Sequence, residues 1–174
     1  MSIYMVQHVF ARPDWEAEWN AWYAGNLRVL MSVPGFRTGQ RFKAVDGAPP
    51  RYMAMYTVDS ADVVETQFYK DSGGGGVASQ RFRPAYQVWI RNLFENLAVA
   101  PAVKEGECLV MLDADAPDPQ LPGVPLAMMK STGFHKTTPW RGLASVSEAR
   151  AQSLPETDGL ILYRPVTSQL PQLY

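Results

Sequence analysis

Histidine is the side chain best suited to acid–base chemistry, and the chain contains only His8 and His135. Alternation over residues 3–10 predicts a strand that is apolar on both faces, with His8 near its end on the face of Tyr4. Because the unperturbed pKa of imidazole is about 6.5, His8 could exchange a proton with a carbonyl compound at neutral pH. The alternative is a half-buried histidine satisfied by Gln7, a backbone carbonyl or a tyrosine.

Tyr23, Tyr52 and Tyr56 are candidates for the same cavity as His8. Tyr23 belongs to a predicted helix, and Tyr52 and Tyr56 share one face of a predicted strand. A tyrosine hydroxyl orients a phenolic or keto ligand through one hydrogen bond within an otherwise apolar wall. Core packing, with the hydroxyl at its edge, is the other interpretation of each tyrosine.

These groups depend on a helix with an aromatic stripe. Asp14 is its predicted N-cap, and Pro34-Gly35 ends it. An indole buries roughly 150–250 Å², so the stripe must lie on a wide surface such as a sheet. The polar Asn26 faces inward and contacts either a ligand or a loop. The stripe recurs at steps of three and four and comprises Trp15, Trp19, Trp22, Asn26, Leu30 and Val33.

Local patterns predict five further elements before residue 115. A turn cluster at residues 46–50 joins two of the strands as an antiparallel hairpin. With the first strand and the Trp helix, the order is β-α-β-β-α-β, which is an α+β, ferredoxin-like arrangement. The elements are strands over residues 35–45, 51–58 and 107–113, and helices over residues 60–72 and 83–97, separated by the glycines of 73–76.

The last third of the chain is predicted to continue the sheet. A Pro- and Asp-rich loop over residues 114–125 is followed by strands at 126–137 and 159–166 and a short helix at 146–153. We therefore divide the chain into a ferredoxin-like domain, residues 1–115, and a β-α-β extension, residues 116–174. The extension completes or covers the sheet and resembles a degenerate half-repeat.

Composition excludes several classes of function. The formal net charge of −1 over 174 residues gives no reason to expect nucleic acid or a membrane as a partner. The single Cys108 excludes an intramolecular disulfide and a multi-cysteine metal site. The N-terminus lacks the basic region of a signal peptide, and no apolar run approaches the ~20 residues of a membrane span. We expect a cytoplasmic protein without a metal site.

Arg81 and Arg83 follow the glycine run and precede a predicted helix. They could hold a carboxylate or a phosphate, but no Gly-Lys-Ser/Thr sequence follows, which excludes a P-loop. The simpler interpretation is that both arginines are solvated on a mobile loop. The functional alternative is that this loop acts as a gate over the pocket. His135 is interpreted in the same way, as a surface histidine.

Four short matches resemble the dimeric α/β-barrel superfamily, in particular its stress-responsive, EthD-like and muconolactone-isomerase-like groups. They cover roughly residues 2–115. Relatives often carry a histidine on the helix at or next to Asn26; asparagine removes this titratable group, which argues against helix-histidine chemistry. The matches are Trp19-Asn20-x-Trp22-Tyr23, Val33-Pro34-Gly35-Phe36, Arg41-Phe42 and Tyr52-x-Ala54-x-Tyr56.

The resemblance implies a barrel of two four-stranded sheets, closed across a homodimer, with ligand cavities lined by sheet and helix. His8 and Tyr23 are then the catalytic candidates. The ligand-binding candidates are Trp19, Trp22, Asn26, Arg41, Tyr52 and Tyr56.

By analogy, we expect a small apolar or aromatic carbonyl ligand and isomerase, cyclase or monooxygenase chemistry without a cofactor. A non-catalytic ligand carrier or structural dimer is the alternative. Haem binding ranks last, because only two histidines are available as ligands.

Overall fold

The computed structural model describes residues 1–46 and 51–173, so the predicted turn at 46–50 lies mostly outside the described residues. The helices are α1 (Pro13–Met31), α2 (Gln67–Asp71) and α3 (Glu148–Gln152), with 3₁₀ turns at Ala61–Glu65, Gly74–Gly76 and Gln80–Ala85. The strands are β1 (Ser2–Phe10), β2 (Phe36–Ala44), β3 (Arg51–Val58), β4 (Tyr86–Glu95), β5 (Glu107–Ala114), β6 (Ala127–Phe134), β7 (Trp140–Ser147), β8 (Leu160–Pro165) and β9 (Leu170–Pro171).

The strands form a closed antiparallel barrel within one chain. Their order is β3-β1-β4-β6-β7-β5-β8-β2, and an additional pairing of β2 with β3 closes the ring. Strand β9 pairs with β2 beyond the end of β8. The α+β class is therefore confirmed. Because the barrel closes without a second sheet, its closure does not require a homodimer. The oligomeric state therefore stays a prediction.

Strand alternation separates a barrel interior from an outer, helix-covered face. On β1, Ile3 and Met5 point into the barrel, whereas Tyr4 and His8 point towards α1. The interior is packed with side chains from every strand from β1 to β8. Its buried core consists of Ile3, Met5, Phe42, Met53, Met55, Phe94, Ala100, Val103, Leu109, Met111, Met129, Leu143 and Tyr163.

Helix α1 covers the outer face of β1, β2 and β3, as its aromatic stripe predicts. Its fully buried side chains include Trp19, Tyr23 and Leu27, so the buried face is rotated slightly from the predicted stripe, and Trp22 and Asn26 lie at its edge. The predicted N-cap is wrong: Arg12 occupies that position, and Asp14 lies within the first turn, where it accepts hydrogen bonds from Arg12.

The predicted helix over residues 83–97 is wrong. A 3₁₀ turn ends at Ala85 and strand β4 follows, pairing with β1 and β6. Trp89 and Leu93 face the outer core, whereas Phe94 faces the barrel interior, so the segment has a period of two. Tyr86, Trp89 and Leu93 mimic a helical stripe because a β-bulge next to Val88 places Tyr86 on the same face as the other two. The predicted helix over 60–72 is also reduced to two short pieces, and its expected apolar residue Phe68 is 54% exposed, whereas Tyr69 is buried.

The strands after residue 116 lie in the same sheet as the earlier ones. Strand β5, predicted as the fourth strand of the first unit, instead lies between β7 and β8. Strand β7 is absent from the sequence prediction, and the predicted helix at 146–153 is shortened to α3 and capped by Ser147. The division at residue 115 itself stays a prediction. None of the helices in the described ranges has the length and hydropathy that a membrane crossing requires.

Candidate functional site

His8 lies in an aromatic cluster between the sheet and α1. Its side chain is 4% exposed, and its ring centroid lies 4.7 Å from that of Tyr86, 5.6 Å from Trp19 and 5.8 Å from Tyr23. Burial, followed by the nearby positive charge of Arg41, lowers the pKa of His8 to about 3. His8 is therefore a neutral imidazole at pH 7, able to accept or donate one hydrogen bond at each ring nitrogen according to its tautomer.

Two buried polar atoms at this site lack a hydrogen bond of ordinary geometry among the described residues, although the Tyr23 hydroxyl lies close enough to Tyr56 to affect its pKa. They are the Nδ1 atom of His8 and the hydroxyl of Tyr56, and both residues line the same cavity. A buried polar atom without a partner costs roughly 1–3 kcal/mol, so native proteins rarely retain one without a use. Burial also raises the pKa of Tyr56 well above its usual value, which keeps its hydroxyl protonated.

The cavity, here called the helix-face cavity, is small and its walls are mainly aromatic. Its volume is about 40 Å³, enough for one or two water molecules. The sheet contributes His8 and Tyr56, and α1 contributes Tyr23 and Asn26. The remaining lining residues are Tyr4, Val6, Trp22, Leu30, Tyr69, Gly73, Gly74, Gly75, Gly76, Ser79 and Trp89.

Arg41 is a buried cation behind this cavity. It is 2% exposed, and its guanidinium carbon lies 4.0 Å from the ring centroid of Tyr23 and 4.9 Å from that of Trp19. No carboxylate in the described ranges lies within ion-pair distance of Arg41; its Nη2 donates to Asn20 Oδ1 at 2.9 Å. Aromatic faces therefore stabilise the charge in place of an acidic partner.

A hydrogen-bonded chain connects Arg41 to the protein surface. Asn20 Nδ2 donates to the hydroxyl of Tyr52 at 3.0 Å, and that hydroxyl donates to Glu16. Lys43 Nζ donates to the same carboxylate oxygen at 2.8 Å. These bonds hold Asn20 and Tyr52 in fixed orientations, so Tyr52 helps to position Arg41. Tyr52 does not line the helix-face cavity.

The glycine segment closes the far end of the cavity. The backbone N–H of Gly75 donates to the hydroxyl of Tyr69 at 2.9 Å, and that hydroxyl lies 3.1 Å from the hydroxyl of Tyr4. Gly75 and Gly76 have φ values of 66° and 89°, a conformation that residues with a side chain rarely adopt. The segment therefore sits directly on the tyrosines.

A larger outer pocket adjoins the helix-face cavity. Its volume is about 270 Å³, and Gly76, Ser79 and Trp89 border both spaces. Tyr86 and Arg83 form its outer walls. A ligand too large for the inner cavity could occupy both spaces if the shared wall moved.

The structure brings the sequence candidates together around α1. His8, Tyr23, Trp22, Asn26 and Tyr56 line the helix-face cavity. Trp19, Arg41 and Tyr52 pack behind it.

Other candidates lie elsewhere. His135 is exposed and its ring contacts the backbone of Arg91, in agreement with its interpretation as a surface histidine. Arg81 forms an ion pair with Glu18, so of the two loop arginines only Arg83 borders a pocket. No cluster of three or more potential metal ligands occurs in the described ranges.

Tyr4, Tyr69 and Trp89 line the cavity but are not among the candidates from the sequence. Tyr4 was identified only as a neighbour of His8, although the same-face alternation on β1 was the available signal. Tyr69 follows Thr66, whose side chain caps α2, and that capping pattern could have indicated which side of the short helix is buried. Trp89 was assigned to a helix, so its alignment opposite His8 in the β1–β4 pairing could not be foreseen.

The fold is similar to that of two solved structures. An anthrone oxidase-like protein superposes with a TM-score of 0.64 and 10% identity over 99% of this chain and 94% of that chain. A proposed monooxygenase from Lactobacillus acidophilus NCFM superposes with a TM-score of 0.60 and 9% identity over 98% of this chain and 96% of that chain. No protein-family model matches the chain, and no curated protein matches its sequence. At these identities the similarity concerns the fold alone, and it agrees with the α/β-barrel fold that the sequence resemblance implies.

Proposed function

We propose that this protein binds a small aromatic carbonyl compound in the helix-face cavity and that His8 exchanges a proton with it. The observation that carries the proposal is the pair of buried polar atoms without a hydrogen bond of ordinary geometry, His8 Nδ1 and the Tyr56 hydroxyl, in one aromatic cavity. An aromatic wall with a few convergent polar groups suits a planar ligand that has one hydrogen-bonding oxygen.

Because His8 is a neutral imidazole at pH 7, it can take a proton from a carbon conjugated with a carbonyl, although its lowered pKa makes it a weak base. In that step Nδ1 of His8 takes the proton, the C–H electron pair joins the conjugated π system, and the carbonyl π pair moves onto oxygen. The hydroxyl of Tyr56 then donates a hydrogen bond to the enolate oxygen. Arg41 disfavours the imidazolium but favours the enolate, and the imidazolium and the enolate attract one another.

Entry of such a ligand requires the glycine segment or Trp89 to move. The inner volume of about 40 Å³ is well below the roughly 300–1,000 Å³ of small-molecule sites. Together with the outer pocket of about 270 Å³, the combined space reaches the lower part of that range. We propose that the carbonyl end enters the inner cavity while the ring body lies against Trp89 and Tyr86.

Oxygenation is the reaction that we favour among isomerase, cyclase and monooxygenase chemistry. Both similar structures are named for oxidation, as an anthrone oxidase-like protein and a proposed monooxygenase. An enolate is electron-rich and reacts with dioxygen, and conversion of anthrone to anthraquinone consumes one O₂ and releases one water. Anthrone is therefore a suitable probe: its acidic CH₂ group is conjugated with the carbonyl across the central ring, so His8 could take the proton while Tyr56 donates to the oxygen.

The second candidate is a non-catalytic ligand carrier or a structural barrel. The small inner volume favours it, because the protein's own side chains already fill most of the space under α1. Asn26, which stands where relatives often carry a histidine, lines the cavity without offering a titratable group.

The experiment measures both binding and turnover of anthrone. Binding is measured by quenching of tryptophan fluorescence, and turnover is measured by anthraquinone absorbance and oxygen uptake. The control ligand is 9,10-dihydroanthracene, the matched hydrocarbon without a carbonyl. We expect His8→Gln to lower turnover by about 10²–10⁴-fold, the usual contribution of a general base. Tyr56→Phe should weaken binding of anthrone about fivefold and leave binding of dihydroanthracene unchanged.

His135→Gln is the control, because it makes the same chemical change at an exposed histidine away from the cavity. Binding without turnover would select the carrier. If anthrone does not bind, or if His8→Gln binds and converts it like the wild type, the proposed role of His8 is wrong.

We also propose that the barrel consists of two fused ferredoxin-like units. The first four strands lie in the order β4-β1-β3-β2, and the next four repeat it as β8-β5-β7-β6. In the second unit the loop over residues 115–126 stands where α1 stands in the first. The order supports a fused pair and therefore a barrel that needs no second chain.

A further inference from the structure

A second cavity opens at one mouth of the barrel, on the opposite face of the sheet from the ring of His8. Its volume is about 300 Å³, and strands β1 and β5 end there, while β3, β4, β7 and β8 begin there. Elsewhere the interior is filled with methionine, leucine and phenylalanine side chains. The mouth is therefore the part of the interior that retains room for a ligand.

The floor of the mouth is an ion pair between a buried arginine and a partly exposed aspartate. Arg141 is 1% exposed and donates from Nε to Asp113 Oδ1 at 2.6 Å and from Nη2 to Oδ2 at 2.9 Å. Its Nη1 donates to Gln7 Oε1 at 3.1 Å. The bidentate pair neutralises itself and fixes the orientation of Gln7.

Tyr163 presents a free hydrogen-bond donor beside that floor. It is 1% exposed, and its hydroxyl accepts a hydrogen bond from Gln7 Nε2 at 3.1 Å. Because Gln7 Oε1 is occupied by Arg141, the amide presents its NH₂ group to the tyrosine, and the tyrosine proton has no acceptor in the described ranges. Burial raises the pKa of Tyr163, so this proton is retained at neutral pH.

Arg51 adds a positive charge at the rim. It lines the mouth and is exposed, and no described carboxylate lies within ion-pair distance of it. Asp46 and Glu156 share a neighbouring groove with Arg51 and do not line the mouth. The charges of Arg141 and Asp113 cancel, so the groups that line the mouth carry one net positive charge, which is that of Arg51.

The walls between floor and rim are apolar. They comprise Val9, Val88, Ile90 and Ile161. Such walls favour a hydrocarbon body over a polar one, since apolar burial contributes about 25 cal/mol per Å².

We propose that the barrel mouth binds a small monocarboxylate with an apolar body. The carboxylate accepts the Tyr163 hydroxyl proton and pairs with Arg51, and the body packs on Val88, Ile90 and Ile161. A cation is repelled by Arg51, and a neutral amide lacks the ion pair. Of the residues that line this site, only His8 also lines the helix-face cavity, and the proposal does not depend on the function proposed there.

The test uses hexanoate as the probe, with hexanamide and hexylammonium as its neutral and cationic counterparts. Binding is measured on the full chain by amide chemical shifts and calorimetry. We expect hexanoate to shift the amides of Gln7, Ile90 and Ile161 and to bind more tightly than the other two probes. Arg51→Gln and Tyr163→Phe should each weaken hexanoate binding by about fivefold or more.

Arg83→Gln is the matched control, because Arg83 is an exposed arginine at the rim of the other pocket. It should leave hexanoate affinity unchanged. If Tyr163→Phe does not fold, Arg51→Gln decides the question, because that side chain is exposed. The proposal is overturned if millimolar hexanoate shifts none of the mouth amides, if hexanamide binds equally well, or if Arg51→Gln binds hexanoate like the wild type.

Discussion

The guanidinium carbon of Arg41 lies 4.0 Å from the centre of the Tyr23 ring. Arg41 belongs to β2 and Tyr23 to α1, so a buried cation–π contact joins the sheet to the helix that covers it. The same charge disfavours protonation of His8 and, second to burial, shifts its pKa downward. The contact thus connects the packing of α1 to the protonation state of the candidate catalytic histidine.

The stability of the fold should fall as the pH falls from about 6.5 towards 3, because of His8. The folded-state pKa of about 3 is below the unfolded value of about 6.5, so in this window the unfolded chain binds a proton that the folded chain does not. Between pH 7 and pH 5 the loss should be about 2 kcal/mol. Urea unfolding at both pH values measures it.

His8→Gln should remove this part of the pH dependence, and His135→Gln should retain it. Both variants keep the carboxylates that titrate in the same range, so the difference between their slopes isolates His8. Equal slopes for the two variants would contradict the depressed pKa.

Replacement of Arg41 should raise the pKa of His8. Arg41→Met removes the positive charge that disfavours the imidazolium, but burial, the larger cause, remains, so we expect an incomplete return towards the ordinary value. Imidazole NMR shifts across a pH titration give the measurement. Arg41→Lys, which retains the charge, is the comparison, and an unchanged His8 titration in Arg41→Met would exclude the electrostatic connection.

Gly74→Ala should loosen the glycine segment. A Cβ at this position would overlap the Tyr69 ring, so the segment or the ring must shift at a cost of about 1–3 kcal/mol. Gly25→Ala is the matched control: its Cβ would have no heavy atom within 4 Å, and alanine in a helix should stabilise by roughly 0.5–1 kcal/mol. Thermal unfolding compares the two. Destabilisation of the same size in both would show that the contact with Tyr69 does not restrict position 74.

Tyr69→Phe should free the Gly75 amide. The variant keeps the ring under the segment but removes the hydroxyl that accepts the Gly75 N–H, at a cost of about 1 kcal/mol. Amide hydrogen exchange should accelerate at Gly75 while β1 keeps its protection. Tyr4→Phe, which removes the other hydroxyl of the pair, should have a smaller effect at Gly75. Unchanged exchange in Tyr69→Phe would mean that other contacts fix the segment.

A fragment of residues 1–115 should not fold as a monomer. It retains β1 to β5 but lacks β7 and β8, the two neighbours of β5, and it exposes the interior core that Met129, Leu143 and Tyr163 complete. Light scattering and proton–nitrogen spectra of the fragment, with the 19.4 kDa full chain as reference, test this. A dispersed spectrum from a monomeric fragment would instead support an autonomous first domain.

Local sequence signals were sufficient for part of the fold. The alternation on β1 and β3 and the stripe on α1 identify their own elements, because each pattern records which side of a single segment is buried. The same patterns place His8, Tyr23 and Tyr56 on facing surfaces. The site residues that lie on these elements therefore come together as the sequence predicts.

The remaining features depend on contacts that are distant in the chain. Strand β4 has aromatic residues at spacings that also suit a helix, and only its pairing with β1 and β6 makes it a strand. Tyr163 accepts a hydrogen bond from Gln7 across 156 positions, which no local pattern can indicate.

The sequence by itself thus determined the aromatic helix, the hairpin that it covers and the candidacy of His8. The tertiary structure decided that one chain closes the barrel, that His8 is neutral beside the buried Arg41, and that a second cavity exists at the barrel mouth. The physical reason is that burial of a strand edge, desolvation of a charge and the volume of a cavity are each set by several segments at once.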